Sequence, residues 1–188
     1  MGVNMNSVFA KEALELAKTK GRCPELENMI ALCPNASCSY ALFLKEPFKK
    51  GEEIIATNPM LSVIYSKEIL KKRFKQAEPT IAKDAKASYE YALTHNQRFK
   101  EGEQSILDHC RRNDGEIACD YAMNVIKGRW VESEPIILES DRLILKYAVK
   151  VIKGRWLEAE GRFRDLNIAQ VYARKMIEIE IPILSFVG

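Results

Sequence analysis

From Asp141 to Lys153 the apolar positions are Leu143, Ile144, Leu145, Tyr147, Ala148, Val149, Val151 and Ile152. This is a helical run with almost no polar stripe. It suits a helix packed on two sides by neighbours rather than on one. The run breaks at Gly154 and restarts as Arg-Trp-x-Glu-x-Glu, which predicts a second, shorter helix. Its glutamates fall in the first turn, where backbone N–H groups point outward and the helix dipole is positive. Such a helix, about eight to ten residues long, is marginal alone and takes its stability from packing on neighbours. The same pattern precedes it: Y-A-M-N-V-I-K-G-R-W-V-E-S-E over Tyr121–Glu134 nearly copies Y-A-V-K-V-I-K-G-R-W-L-E-A-E over Tyr147–Glu160.

Fainter copies run back almost to the N-terminus. A glutamate recurs at Glu27, Glu52, Glu78, Glu103, Glu134 and Glu160, with steps of 25, 26, 25, 31 and 26 residues. A tyrosine recurs at Tyr40, Tyr65, Tyr91, Tyr121, Tyr147 and Tyr172, with steps of 25, 26, 30, 26 and 25. The two markers keep step even across the long interval, and self-similarity at this period is the signature of a helical repeat array. The fold class expected is therefore all-α: an α-solenoid of about seven helix-turn-helix units of 25–26 residues, each contacting mainly the next. Extra residues in Asp108–Glu116, rich in Asn, Asp and Gly, predict an exposed loop.

Local signals agree with two helices per unit. Asn58-Pro59, Asp84 and Ser140 or Asp141 read as helix starts. Pro24, Pro79 and Pro135 fall in first turns, where a missing N–H costs little. Gly21, Gly128 and Gly154 are expected to supply the left-handed residue that ends a helix, with Asn96 in that role in the Tyr91 unit. One repeat domain over residues 1–188 is the expected organisation. Residues 1–20 would be a capping helix, and the apolar Ile179–Val187 replaces the polar turn of the other units. This tail either covers the last groove or pairs with another subunit, as a strand in one version.

Composition narrows function little. Apolar residues make up 47% of the 188, enough for a core, and the net charge of +3 favours an anionic partner only slightly. No run is long and apolar enough to span a membrane, and the N-terminus lacks a signal-peptide pattern, so a cytoplasmic location is expected. The five cysteines are scattered and the two histidines, His95 and His109, are not spaced as zinc ligands, so no metal and no cofactor is expected. No phosphate-binding loop, dinucleotide turn or nucleophile motif occurs.

The segments Y-A-x-x-V-I-x-G-R-W-x-E-A-E, followed by I-x-x-[D/S] and another Y-A, resemble a tandem helical repeat of uncharacterised bacteriophage proteins. Tyr121–Glu134 and Tyr147–Glu160 carry the likeness best. Arg73-Phe74, Ala77-Glu78-Pro79, Ile81, Tyr91-Ala92, Arg98-Phe99 and Glu103 carry it in part, and Pro47 stands where the Arg should be. The resemblance implies an α-solenoid of phage origin, located in the host cytoplasm, and no reaction. Likeness to tetratricopeptide and Sel1-like arrays is architectural only.

Three groups of residues are candidates. The pairs Arg73/Glu78, Arg98/Glu103, Arg129/Glu134 and Arg155/Glu160 lie five apart; a feature present in every unit is read as a structural ladder, not an acid-base site. Lys45, Lys49, Lys50, Lys71, Lys72, Lys127 and Lys153 are candidates for an anion or a partner, since residues 39–100 carry 12 Lys+Arg against 7 Asp+Glu. Ile179, Ile181, Ile183, Leu184 and Phe186 are candidate oligomer contacts. The Tyr-Ala pairs are read as core, with base stacking the weaker alternative. The expected function is a non-enzymatic protein-interaction module that binds a host protein, with inhibition of host defence as one outcome. Nucleic-acid binding through the basic middle segment, and self-association through the tail, are the alternatives.

Overall fold

The computed structural model of the chain describes residues 4–181. The described residues form thirteen α-helices and six short 3-10 or π-helical segments, with no strand among them. The chain divides into two compact units, Met1–Ser105 and Ile106–Gly188, considered separately below.

In the first unit the helix starts follow the sequence signals. The Asn58 side chain accepts from the Leu61 N–H (3.0 Å) and Asp84 from the Ala87 N–H (2.8 Å), with Pro59 opening its helix. Three rows of side chains build the core. Tyr40, Tyr65 and Tyr91 are fully buried, each with its ring against a phenylalanine eight or nine residues on: Phe48, Phe74 and Phe99, at centroid separations of 5.1, 5.4 and 5.2 Å. Ile30, Ile55 and Ile81 are fully buried and follow Glu27, Glu52 and Glu78 by three residues. Ser37, Ser62 and Ser88, also fully buried, donate to the carbonyls of Ile30, Ile55 and Ile81 at 3.1, 3.0 and 2.9 Å. A hydroxyl buried without a partner would be costly, and each carbonyl here supplies one. Gly51 and Gly102 precede their glutamates where a side chain has no room: a Cβ on Gly51 would lie 2.7 Å from Ser37 Cβ, and one on Gly102 would lie 2.5 Å from Ser88 Cβ.

The second unit repeats the scheme. Tyr121 and Tyr147 are buried against Trp130 and Trp156 at 5.0 and 5.1 Å. Ile106 and Ile137 hold the isoleucine position, and Ser133 and Ala159 the small one, all fully buried. Ala118, Ile144 and Ala169 replace the serines, so this unit lacks that hydroxyl row. Instead Lys146 reaches both Glu116 (2.9 Å) and Asp120, and Arg142 also pairs with Glu116.

Several sequence expectations are corrected. The second helices are shorter than expected: Val131–Ser133 is a 3-10 turn and Glu134–Ile137 a single α turn. Ser140 occupies a cap position without a side-chain cap bond. The residues Asp108–Arg112 are helical, continuing Lys100–Arg112, so the insertion mostly lengthens a helix and only Asn113-Asp114-Gly115 turns. Ile179 and Glu180 belong to the helix Leu166–Glu180, not to a strand. The left-handed residue is Lys127 or Lys153 (φ 58° each), not the glycine after it, as are Lys45 and Lys71 in the first unit; only Gly21 and Asn96 are left-handed as expected. The displaced cap has a physical cause in helix geometry. The segments Ser66–Leu70, Ala122–Ile126 and Ala148–Ile152 are π-helical. The wider turn sends the Lys153 N–H back to the Ala148 carbonyl (2.7 Å), which closes the helix one residue before the glycine.

Those π segments also account for the uneven spacing between each tyrosine and its cap. The left-handed residue follows the tyrosine by five positions at Lys45 and Asn96, and by six at Lys71, Lys127 and Lys153. The longer interval coincides each time with a π turn. The extra residue is taken up before the cap, and the aromatic still lands on its tyrosine.

Candidate functional site

The recurrent Arg and Glu form one joint with the tyrosine and a backbone amide. In the first unit the Phe48 N–H donates to Tyr65 Oη (3.0 Å) and the Phe74 N–H to Tyr91 Oη (2.8 Å). Each hydroxyl in turn donates a hydrogen bond, to Glu52 Oε1 and Glu78 Oε1, both at 2.9 Å. The earliest copy has the Cys23 N–H donating to Tyr40 Oη at 3.0 Å. In the second unit Trp130 and Trp156 N–H donate to Tyr147 and Tyr172 Oη at 2.7 and 2.8 Å, and both hydroxyls donate to Glu134 and Glu160 at 3.2 Å.

Arginine closes the joint from outside. Arg73 Nε meets Glu78 Oε1 at 2.7 Å; Arg98 grips Glu103 with two nitrogens; Arg129 and Arg155 hold Glu134 and Glu160 in the same bidentate way. Where Pro47 replaces arginine, Lys49 meets Glu52 at 3.0 Å. All four predicted pairs are thus brought together. Their electrostatics are those of satisfied partners. The hydrogen bond from Arg155 holds the Glu160 carboxyl below its usual range, and the bond to Glu134 raises the Arg129 guanidinium. Burial is the main cause that pushes the Tyr91 hydroxyl up to about 12, with Glu78 adding to it; Tyr65 and Tyr147 are raised for the same reasons. Glu78, Glu134 and Glu160 thus each accept from an arginine and a tyrosine together. Buried rings cannot stack on bases, so the Tyr-Ala row is core.

The seven candidate lysines are all exposed. Lys50 reaches Glu27 at 3.3 Å, Lys49 pairs with Glu52, and Lys71 lies 3.6 Å from Glu68. Lys45 and Lys71 in the first unit, and Lys127 and Lys153 in the second, share the left-handed cap position. Of the candidate oligomer contacts, Ile179 and Ile181 are exposed, while Ile183, Leu184 and Phe186 lie outside the described residues. Among the described residues no group of histidine, cysteine and acidic side chains could hold a metal ion. His95 rests on the Tyr91 ring with Nε2 3.2 Å from Ser66 Oγ. Burial pushes the Cys38 and Cys119 thiols up to about 11, which keeps them protonated and unreactive. No helix among the described residues is long and apolar enough to cross a membrane.

The sequence reading missed the isoleucine, serine and small-residue rows. Their signal was present: Ile30, Ile55, Ile81, Ile106 and Ile137 each follow a marker glutamate by three residues. Comparisons with protein-family models, with curated proteins and with solved structures found no match to this chain.

Proposed function

We propose that the chain is an α-solenoid of about seven units that acts without catalysis, as a module for docking a protein partner. The observation that carries this reading is the fate of the repeated polar side chains. Each glutamate of the four predicted pairs is bound by its arginine, and Glu78, Glu134 and Glu160 also accept from a tyrosine of the following repeat. The groups most able to do acid-base chemistry are therefore engaged in holding repeats together. What differs from repeat to repeat is the exposed side, which in repeat proteins is the side that recognises partners. The resemblance to phage repeat chains makes a bacterial host protein, in the host cytoplasm, the proposed partner, and blocking a host defence component the proposed consequence. Affinity capture from host lysate followed by mass spectrometry tests this. One protein recovered at stoichiometric level, and lost on reversing the charge of exposed residues, supports it; recovery of none counts against it.

One observation favours a second reading. Lysine recurs at the left-handed cap, a position where its side chain is always exposed. Lysines repeated in this way suit a phosphate backbone, whose binding weakens steeply with salt. Fluorescence anisotropy with DNA and RNA at low salt tests it, and a flat titration removes it.

A further inference from the structure

The helix Met5–Lys20 carries two apolar stripes rather than one. Ala10, Ala13, Leu14 and Ala17 are buried, where the helix packs on Pro24–Ile30 and Pro34–Leu44. On another side of the same helix Met5, Phe9 and Leu16 stay 53%, 51% and 46% exposed. With Glu12 and Thr19 they fall at positions 5, 9, 12, 16 and 19, in steps of four, three, four and three. Steps of that kind keep side chains on one seam of an α-helix, and such a seam is what a second helix packs against. Beside the seam opens a groove of about 570 Å³. Phe9, Glu12, Ala13 and Leu16 form one wall, and Leu26 and Met29 of Pro24–Ile30 form the other. The polar groups here reduce to one. Thr19 Oγ1 donates to the Leu16 carbonyl at 2.8 Å, and Glu15 is held by Lys18 at 2.8 Å. Glu12 is exposed and makes no hydrogen bond or ion pair among the described residues. It is the sole charge at the five seam positions, and it stands in the middle of them.

We propose that this seam and its groove take a cationic amphipathic helix of the partner protein, with a lysine or arginine opposite Glu12; the site rests on the docking role inferred for the chain. That the occupant is a helix follows from the spacing of the seam, since an apolar face laid into a groove is read by anchors at helical intervals. Its sign follows from Glu12. A lysine or arginine there lays its methylenes on Phe9 and Leu16 while its charged head meets the carboxylate. A second copy of the chain fits worse. Two copies of the helix paired parallel and in register put Glu12 against Glu12. Paired antiparallel about the midpoint of the seam they do the same, because position 12 lies halfway between 5 and 19. Like charges brought together at the centre of an interface suppress that pairing. A single polar residue in an apolar seam therefore sets which partner and which register are accepted, at some cost in affinity.

The probes are two synthetic helical peptides with leucine along a heptad seam, one with lysine and one with glutamate at its central position. Each is titrated against the full-length chain by fluorescence anisotropy. The lysine peptide should bind, and the glutamate peptide should bind about tenfold more weakly. Glu12→Lys, checked for unchanged helicity by circular dichroism, should invert that order. Phe9→Ser, checked in the same way, should weaken the lysine peptide by about tenfold or more. No binding, equal binding of the two peptides, or an order that Glu12→Lys leaves unchanged overturns the proposal. A doubling of mass in light scattering that Phe9→Ser abolishes also overturns it, and assigns the seam to a second copy. Capture of a host protein that survives both substitutions keeps the docking role and overturns this site.

Discussion

Replacing Tyr91 with phenylalanine isolates the joint that recurs through this chain. The ring stays, so its packing against Phe99 at 5.2 Å and its full burial are unchanged. Only the hydroxyl goes, and with it two hydrogen bonds: one from the Phe74 N–H at 2.8 Å and one to Glu78 Oε1 at 2.9 Å. Glu78 keeps Arg73 at 2.7 Å and is partly exposed, so its loss is small. The Phe74 N–H is buried and is left without a partner. An unpaired buried donor costs about 1–3 kcal/mol, and the variant should lose about 2 kcal/mol. Urea unfolding followed by far-ultraviolet circular dichroism measures the total. Amide hydrogen exchange locates it: the Phe74 amide should exchange about 30-fold faster, since 1.4 kcal/mol corresponds to a factor of ten. A loss below about 0.5 kcal/mol, with Phe74 exchange unchanged, would refute the claim that this bond helps hold successive repeats together.

Other outcomes follow from the same geometry. Lys153→Gly should stabilise the protein by about 0.5–1 kcal/mol in urea unfolding, because a left-handed backbone strains any residue with a Cβ and glycine's extra freedom when unfolded offsets only part of that. Gly102→Ala should cost about 1–3 kcal/mol by the same assay, since the added methyl would lie 2.3 Å from Ser88 Oγ and 2.5 Å from its Cβ. On the alkaline side, the folded state keeps the Tyr91 proton up to about pH 12, against 10.0 for a free tyrosine. Its contribution is therefore complete below pH 10 and lost as pH rises towards 12, so ultraviolet titration should show tyrosinate appearing together with unfolding. Deleting Lys150 should shorten the interval from Tyr147 to the cap to the five found at Tyr91, turning the π segment into α-helix at a cost below about 1 kcal/mol in thermal denaturation.

The all-helical class was legible because tyrosine and glutamate markers kept step and the helix starts carry ordinary capping chemistry. Asn58-Pro59 and Asp84 could be placed from residue type alone, since a side-chain oxygen three residues before a free N–H has one obvious use. Five-residue spacing likewise gave the Arg–Glu pairs correctly. What the residues did not disclose was the tyrosine's part in the joint. Tyr91 meets Phe74 and Glu78 from 17 and 13 residues away, and a contact between adjacent repeats leaves no local pattern. The cap was misplaced at Gly128 and Gly154 because the glycine rule assumes an α-helical end, while these helices finish in a wider turn. The Asn, Asp and Gly content of Asp108–Glu116 predicts a loop. Yet His109, Cys110, Arg111 and Arg112 ahead of them are compatible with helix, and Lys100–Arg112 simply continues.

The π segments bear on how such a chain changes over generations. A helix that accommodates one added residue in its last turn, while still returning the chain to the same point, acts as a shock absorber for single-codon insertions. Most arrays would be thrown out of phase by an added residue; here the misfit ends within a few positions and the next copy begins in step. Duplicated segments of unequal length can then be joined and remain compatible, which leaves selection free to act on the solvent-facing side.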